Sequence, residues 1–240
     1  GDLGISIYTE EAIQVSLRRA FPVTLELAIL AMLIAVTIGV PVGVISAVFR
    51  NTLGDYLGRV VAILGLSAPD FWVATMAITF LAIRFHWIPP VQYHRLWDDP
   101  AANLQQFALP ALVIGYRLSA AIMRMTRSTL LEVLREDYIR TAYAKGLRDR
   151  TVIIRHALRN ACLPVVTIVG GQIAFLLGGA VIIEQIFVLP GMGRLAIQGL
   201  TFRDYPLVQT LVLLFATVVV LANLVVDISY AWLDPRIRYR

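Results

Sequence analysis

The sequence predicts an all-α polytopic membrane protein, and three observations carry that prediction. The first is composition. Of the 240 residues, 58% are hydrophobic and 15% charged, and mean hydropathy is +0.74, values outside the ordinary soluble range. The second is arrangement: several uncharged runs are long enough to cross a bilayer as helices, which takes about 20 apolar residues. The third is charge. The net charge is +5, and the basic residues gather in a few polar segments between the apolar runs. In a soluble protein that surplus would suggest nucleic acid. Here it is the loop bias that sets membrane orientation, so membrane lipid is an expected partner and nucleic acid is not. The single Cys162 cannot form an internal disulfide and reads as a small apolar residue.

Residues 1–22 read as an external segment, and 23–240 as one transmembrane domain with a cytoplasmic loop over about 126–162. The opening Gly1-Asp2-Leu3-Gly4 has neither the basic start nor the apolar core of a signal peptide. With the N-terminus placed outside, a sixth, earlier span is expected beyond this sequence. Thr9 is placed to cap a short amphipathic helix through Ile13, Val15 and Leu17, ending at Arg18-Arg19. Pro22 suits the first turn of the next helix. The first span covers about 23–49, with Glu26 near its outer end and Gly39, Pro41 and Gly43 expected to kink it. Residues 50–55 form a short inner turn.

The second span covers about 59–85 and holds Ser67-Ala68-Pro69-Asp70. Two readings stay open for it: an ionisable group lining a translocation path, or a helix break with Asp70 as its cap. Residues 86–106 form an external loop whose tryptophans suit the membrane interface. His86 and His94 stand eight residues apart without a Cys or spaced carboxylate, so no metal site is expected. The third span covers about 107–125, with Arg117 deep enough to need snorkelling or an acidic partner. The fourth covers about 163–187. It holds Gly170-Gly171 and Gly178-Gly179, small residues that allow close helix approach, and Glu184 near its outer end. Ser67, Pro69, Asp70 and Glu184 are the candidate pathway or helix-break residues. Pro190 to Leu195 reads as a turn entering a short helix. The fifth span covers about 207–232, before a basic tail. Of the 21 Arg and Lys residues, all but Arg18, Arg19, Arg84, Arg95, Arg194 and Arg203 fall on one side of this layout, which places the N-terminus outside and the C-terminus in the cytoplasm.

The loop from Arg135 to Pro164 is the one long, strongly basic polar stretch. Tyr138, Ile139, Ala142 and Tyr143 recur at helical spacing, Gly146 interrupts them, and a second periodic stretch runs through Val152, Ile153, His156 and Ala157. Two short helices around a glycine, between spans, read as a docking element. The run Y-I-R-T-A-Y-A-K-G-L followed by R-H-A-L-R-N-A resembles the cytoplasmic "EAA" loop of ABC importer permeases, in their oligopeptide, dipeptide and nickel branch. This chain has Arg140-Thr141-Ala142 at the Glu-Ala-Ala position and Arg159 where the wider pattern favours proline. The P-G-x-G-R-L element at Pro190, the R-D-Y-P element at Arg203 and the tail L-D-P-R-I-R at Leu233 are similar to the same family.

The resemblance implies a type I importer permease fold with cytoplasmic coupling helices, in a bacterial or archaeal cytoplasmic (inner) membrane. It implies a heteromeric complex: this permease, a second homologous permease, two ATP-binding subunits that hold ATP and Mg, and an extracytoplasmic substrate-binding protein. It implies that the ATPase docks on Asp137, Tyr138, Arg140, Thr141, Ala142, Tyr143, Ala144, Lys145, Gly146 and Leu147, with Gly146 as the central glycine. Di- and oligopeptides are the implied substrates, with nickel chelates and glutathione-like solutes as alternatives within the branch. The chain contains no catalytic constellation and no phosphate-cradling G-x-x-x-x-G-K-[ST] loop. It therefore reads as a transport subunit, neither an enzyme nor a binder of a cofactor or metal, with its energy entering through partners. Two classes compete with this reading: an ion-coupled secondary transporter, with Asp70 and Glu184 as ion sites, and a membrane-embedded enzyme or scaffold, of which the enzyme is disfavoured by the lack of a catalytic constellation.

Overall fold

A computed structural model describes residues 3–177 and 180–233. The Gly178-Gly179 pair and the tail from Asp234 onward lie outside the described residues. The described chain is almost entirely helical: α1 Ile13–Val48, α2 Leu53–Ser67, α3 Asp70–Phe85, α4 Pro100–Val133, α5 Asp137–Ala144, α6 Asp149–Thr151, a π-helical segment Val152–Ala157, α7 Leu158–Leu177, α8 Val181–Ile186, α9 Met192–Thr201 and α10 Tyr205–Leu233. Four stretches are long and apolar enough to cross a membrane: Ile13–Val48, Pro100–Val133, Asp149–Ile173 and Tyr205–Ser229. The pair Leu53–Ser67 and Asp70–Phe85 makes a fifth if it counts as one broken span.

Several boundaries differ from the sequence reading, each for a physical reason. α1 starts ten residues early and runs through Arg18, Arg19 and Pro22 without a stop, because Ile13, Leu17 and Ala20 are already buried on one of its faces. Thr9 is therefore not a helix cap; its backbone N–H donates to Ser6 Oγ instead. α4 starts at Pro100, ahead of the expected 107. Asp99 Oδ1 accepts the backbone N–H groups of Ala101 (3.1 Å) and Ala102 (3.0 Å), so Asp-Pro supplies both a cap and a pre-set first turn. The fourth span ends at Leu177, and Glu184 belongs to the separate short helix α8. The expected helix break in the second span is present. Pro69 is extended (φ −64°, ψ 137°) and stands just before α3, with Asp70 as the helix's first residue and not its cap.

The helices form two compact units. One combines the chain up to Met32 with Ala68–Gly115 and Ile173–Ala222. Its core joins Ile13, Leu17 and Ala20 of α1 to Met192 of α9 and Leu207 and Leu211 of α10. The N-terminal residues are fastened to it through Asp204, which accepts a hydrogen bond from the Ser6 hydroxyl and one from the Ile7 backbone N–H at 3.3 Å. The rings of Tyr8 and Phe202 stack at 3.7 Å.

The other unit combines Leu33–Ser67, Tyr116–Gln172 and the chain from Asn223. Here α1 and α4 pack at backbone distance. A Cβ on Gly39 would lie 2.7 Å from the Ser119 carbonyl oxygen, and one on Gly43 would lie 2.7 Å from Thr126 Cβ. The glycines expected to kink α1 are thus used for close approach on one face of a continuous helix. Gly170 plays the same part in α7, against Val226 of α10.

Candidate functional site

The candidate site is the element between α4 and α7. α5 is a two-turn helix that ends in a Schellman motif: Gly146 N–H donates to the Tyr143 carbonyl (2.9 Å) and Leu147 N–H to the Ala142 carbonyl (3.4 Å). Gly146 has φ +76°, a conformation that costs an L side chain about 1–2 kcal/mol. The glycine is therefore where the chain must reverse. A Cβ there would meet nothing within 4 Å, so its constraint is conformational and not one of space.

α5 has two faces. Ile139 (0% exposed) and Ala142 (7%) point into a core with Ala47 of α1, Leu130 of α4, Val152 and Ala157 of the π-helix, and Ala161 of α7. Fully burying a side chain such as Ile139 contributes about 1.5–3 kcal/mol. Across the same seam Thr129 Oγ1 donates to the Ala161 carbonyl at 2.9 Å. The other face is open. Asp137, Tyr138, Arg140, Thr141, Tyr143, Ala144, Lys145, Gly146 and Leu147 are all exposed. Asp137 and Arg140 face each other at 3.4 Å with both side chains largely in solvent, a pair of little energetic weight. Tyr138 is steadied by Asn160, whose Nδ2 donates to its hydroxyl at 2.7 Å.

Of the residues expected to meet the ATPase, Ala142 is turned into the chain's own core. A short amphipathic helix has one apolar stripe, and the chain's own core has taken it. The second arm carries six residues in π-helical form, Val152–Ala157, a rare geometry that recurs at functional sites.

The anchor behind this element was not read from the sequence. Asp55, at the start of α2, is fully enclosed. Its carboxylate accepts two hydrogen bonds from Arg127 of α4, Nε to Oδ1 and Nη2 to Oδ2, each at 2.9 Å. It also accepts the Ser46 hydroxyl and the Asn51 backbone N–H (3.0 Å). This joins the end of α1, the start of α2 and the last two turns of α4, next to the core on which α5 sits. The one available sequence signal was an acidic residue in the turn between two spans and a basic residue just past the end of a third.

The remaining sequence candidates are not part of this element. Ser67 and Pro69 are exposed and Asp70 half-buried at the break before α3. Glu184 is 0% exposed. It accepts hydrogen bonds from Thr24 Oγ1 (2.6 Å) and the Arg194 backbone N–H (3.1 Å), and Gly191 passes so close that a Cβ would lie 2.4 Å from the carboxylate. The Pro-Gly-x-Gly-Arg-Leu element is therefore a wrapping for Glu184. An enclosed carboxylate with several donors is a fastening, since burial without them would be costly. Arg117 is half-buried in α4.

The class of protein follows from a broken-helix membrane fold with an outward-facing, glycine-ended helix pair between two spans: the transmembrane subunit of an ABC importer. By structure the chain is similar to the MetNI methionine ABC transporter in an inward-facing conformation, with TM-score 0.74 and 19% identity, covering 92% of this chain and 97% of that one. It is also similar to an amino acid ABC transporter, with TM-score 0.69 and 14% identity, covering 90% and 92%. These likenesses concern the fold. The chain belongs to the family of binding-protein-dependent transport system inner membrane components, which matches residues 39–239. It is 40% identical over 263 aligned positions to the dipeptide transport system permease protein DppB of Alkalihalophilus pseudofirmus, covering 100% of this chain and 78% of that one. It is 40% identical over 240 positions to the glutathione transport system permease protein GsiC of Escherichia coli K12, covering 100% and 76%. It is thus a multi-pass membrane permease of an ABC importer, and the ion-coupled reading is set aside.

Proposed function

We propose that this permease carries short peptides inward, driven by ATP hydrolysis in separate subunits that dock on the open face of α5. The observation that supports this most directly is the end-to-end likeness to a dipeptide permease and a glutathione permease. Short peptides with free termini are the chemistry those two names share. The docking part is supported by a helix whose apolar stripe is satisfied internally while Tyr138, Arg140, Tyr143 and Lys145 remain unpacked.

The complex has a second related permease, two ATPases holding ATP and Mg, and an external binding protein. The concentration of Arg and Lys around α5 supports a cytoplasmic position for that face and for the C-terminus. In the cycle, ATP binding closes the ATPase pair, which displaces α5. The core behind Ile139 passes that displacement to α1, α4 and α7. The ATPase biases the inward and outward states only through different docking in each.

The test is purification from native membrane with identification of bound subunits, followed by ATP hydrolysis assays with di- and tripeptides. Co-purifying ATPases and peptide-stimulated hydrolysis are expected. A permease that brings down no nucleotide-binding protein would sink the docking reading. An assembled complex stimulated by nickel chelates and not by peptides would sink the substrate.

A further inference from the structure

The first unit contains an open cavity of about 810 Å³ that the docking mechanism does not use. That volume lies within the range of small-molecule sites. Its walls come from α1, the loop after α3 and the start of α4, and they carry charge of both signs. Glu26, Arg18, Arg19 and Arg95 all line it. Trp97 and Tyr93 line the loop wall, and Tyr93 is held edge-on against Phe107 at 6.2 Å. The Tyr93 phenol pKa is raised, first by burial and then by the Glu26 carboxylate, while Arg95 opposes the rise. Both charged groups therefore act on the same wall.

Arg18, Arg19 and Arg95 reach solvent, and two details draw them and Glu26 into one site. Glu26 Oε1 is enclosed and, among the described residues, has no hydrogen bond of ordinary geometry, although the Asn103 side chain lies close enough to act on the carboxylate. An enclosed carboxylate oxygen without a donor is costly, and an ammonium group would satisfy it. The second detail is spacing. Arg19 and Glu26 are seven residues apart on α1, which puts them on one face about 10 Å apart along the axis. Three extended residues of a peptide span about 10 Å. Arg19 is partly engaged by Glu11 at 3.1 Å, and Arg18 and Arg95 line the same cavity.

We propose that this cavity binds a short peptide of about three residues that has a free amino terminus and more carboxylates than ammonium groups. Its ammonium sits against Glu26 and its carboxylates against Arg18, Arg19 and Arg95. The inference rests on the peptide reading above and narrows it to acidic peptides selected by the permease itself.

The test uses the assembled importer in phosphatidylcholine nanodiscs, without its binding protein, titrated by calorimetry with Ala-Glu-Ala, Ala-Lys-Ala and N-acetyl-Ala-Glu-Ala. Ala-Glu-Ala is expected to bind about tenfold or more tightly than either of the others, the scale of one charge-assisted contact. Glu26→Gln should abolish the penalty for acetylation and leave the acidic preference in place. Arg95→Gln, on an exposed loop where folding is not at stake, should shrink the acidic preference and leave the acetylation penalty. Flat titrations, or preferences unchanged in both variants, overturn the site. If peptides nevertheless stimulate ATP hydrolysis when the binding protein is restored, the peptide reading stands and only the cavity is wrong. If no peptide stimulates it, both fall together.

Discussion

Asp55 shows what a single residue does here. Its side chain is fully enclosed and its main partner, Arg127, lies 72 positions away in the sequence. Removing one member of such a pair strands the other, at a cost of about 3–5 kcal/mol. Asp55→Asn should therefore lower the thermal unfolding midpoint of the detergent-solubilised complex markedly. Arg59→Gln should do much less, because Arg59 meets the same carboxylate at 3.4 Å with its side chain 39% exposed. Equal effects of the two substitutions would show that Arg127 is not the anchor. At this scale little was legible in the sequence. Asp55 sits where a solvated turn was expected, and Glu184 where an ion path was one reading. In both cases the carboxylate's environment is made by distant segments, Arg127 for one and Thr24 for the other.

At the scale of the element, α5 and the α1–α4 contact carry the argument. Ile139→Ala removes the largest buried side chain of α5 and should cost about 2–5 kcal/mol locally. The measurable result is faster amide exchange across Asp137–Ala144, together with hydrogen exchange in α10 that stays as it was. Gly43→Leu places a Cβ 2.8 Å from the Met123 carbonyl oxygen and 2.7 Å from Thr126 Cβ. Overpacking against backbone costs about 1–3 kcal/mol. The complex should unfold at lower temperature than with Gly171→Leu, whose Cβ meets nothing within 4 Å. Element existence was legible because it follows from local periodicity. The glycine that ends α5 was legible because a left-handed residue that closes a helix is a local demand. Which face of α5 turned inward was not: Ala142 and Tyr143 are adjacent in sequence, and only the core around Ala47 and Leu130 distinguishes them. The close approach of α1 to α4 was not read for the same reason, since glycines at four-residue spacing read equally well as a kink or as a packing face.

For the molecule as a whole, Gly146 is where the proposed cycle is most exposed to test. Gly146→Val forces a β-branched residue to φ +76° or unwinds the end of α5. The complex should still assemble and hydrolyse ATP, but uptake should be lost; uptake at the wild-type rate would rule out the coupling role. Composition, apolar run length, the placement of Arg and Lys, and the motif between α4 and α7 were enough to determine a multi-pass helical membrane permease. Those properties depend on what each segment is, and a segment's partition into lipid or water is set locally. Tertiary structure alone decided that Ala142 faces inward, that Asp55 and Arg127 form one anchor, that Glu184 is a fastening, and that Glu26 shares a cavity with three arginines. Each of these depends on which distant segment arrives opposite a given side chain, and that is decided by packing across the fold, to which no local pattern of residues gives access.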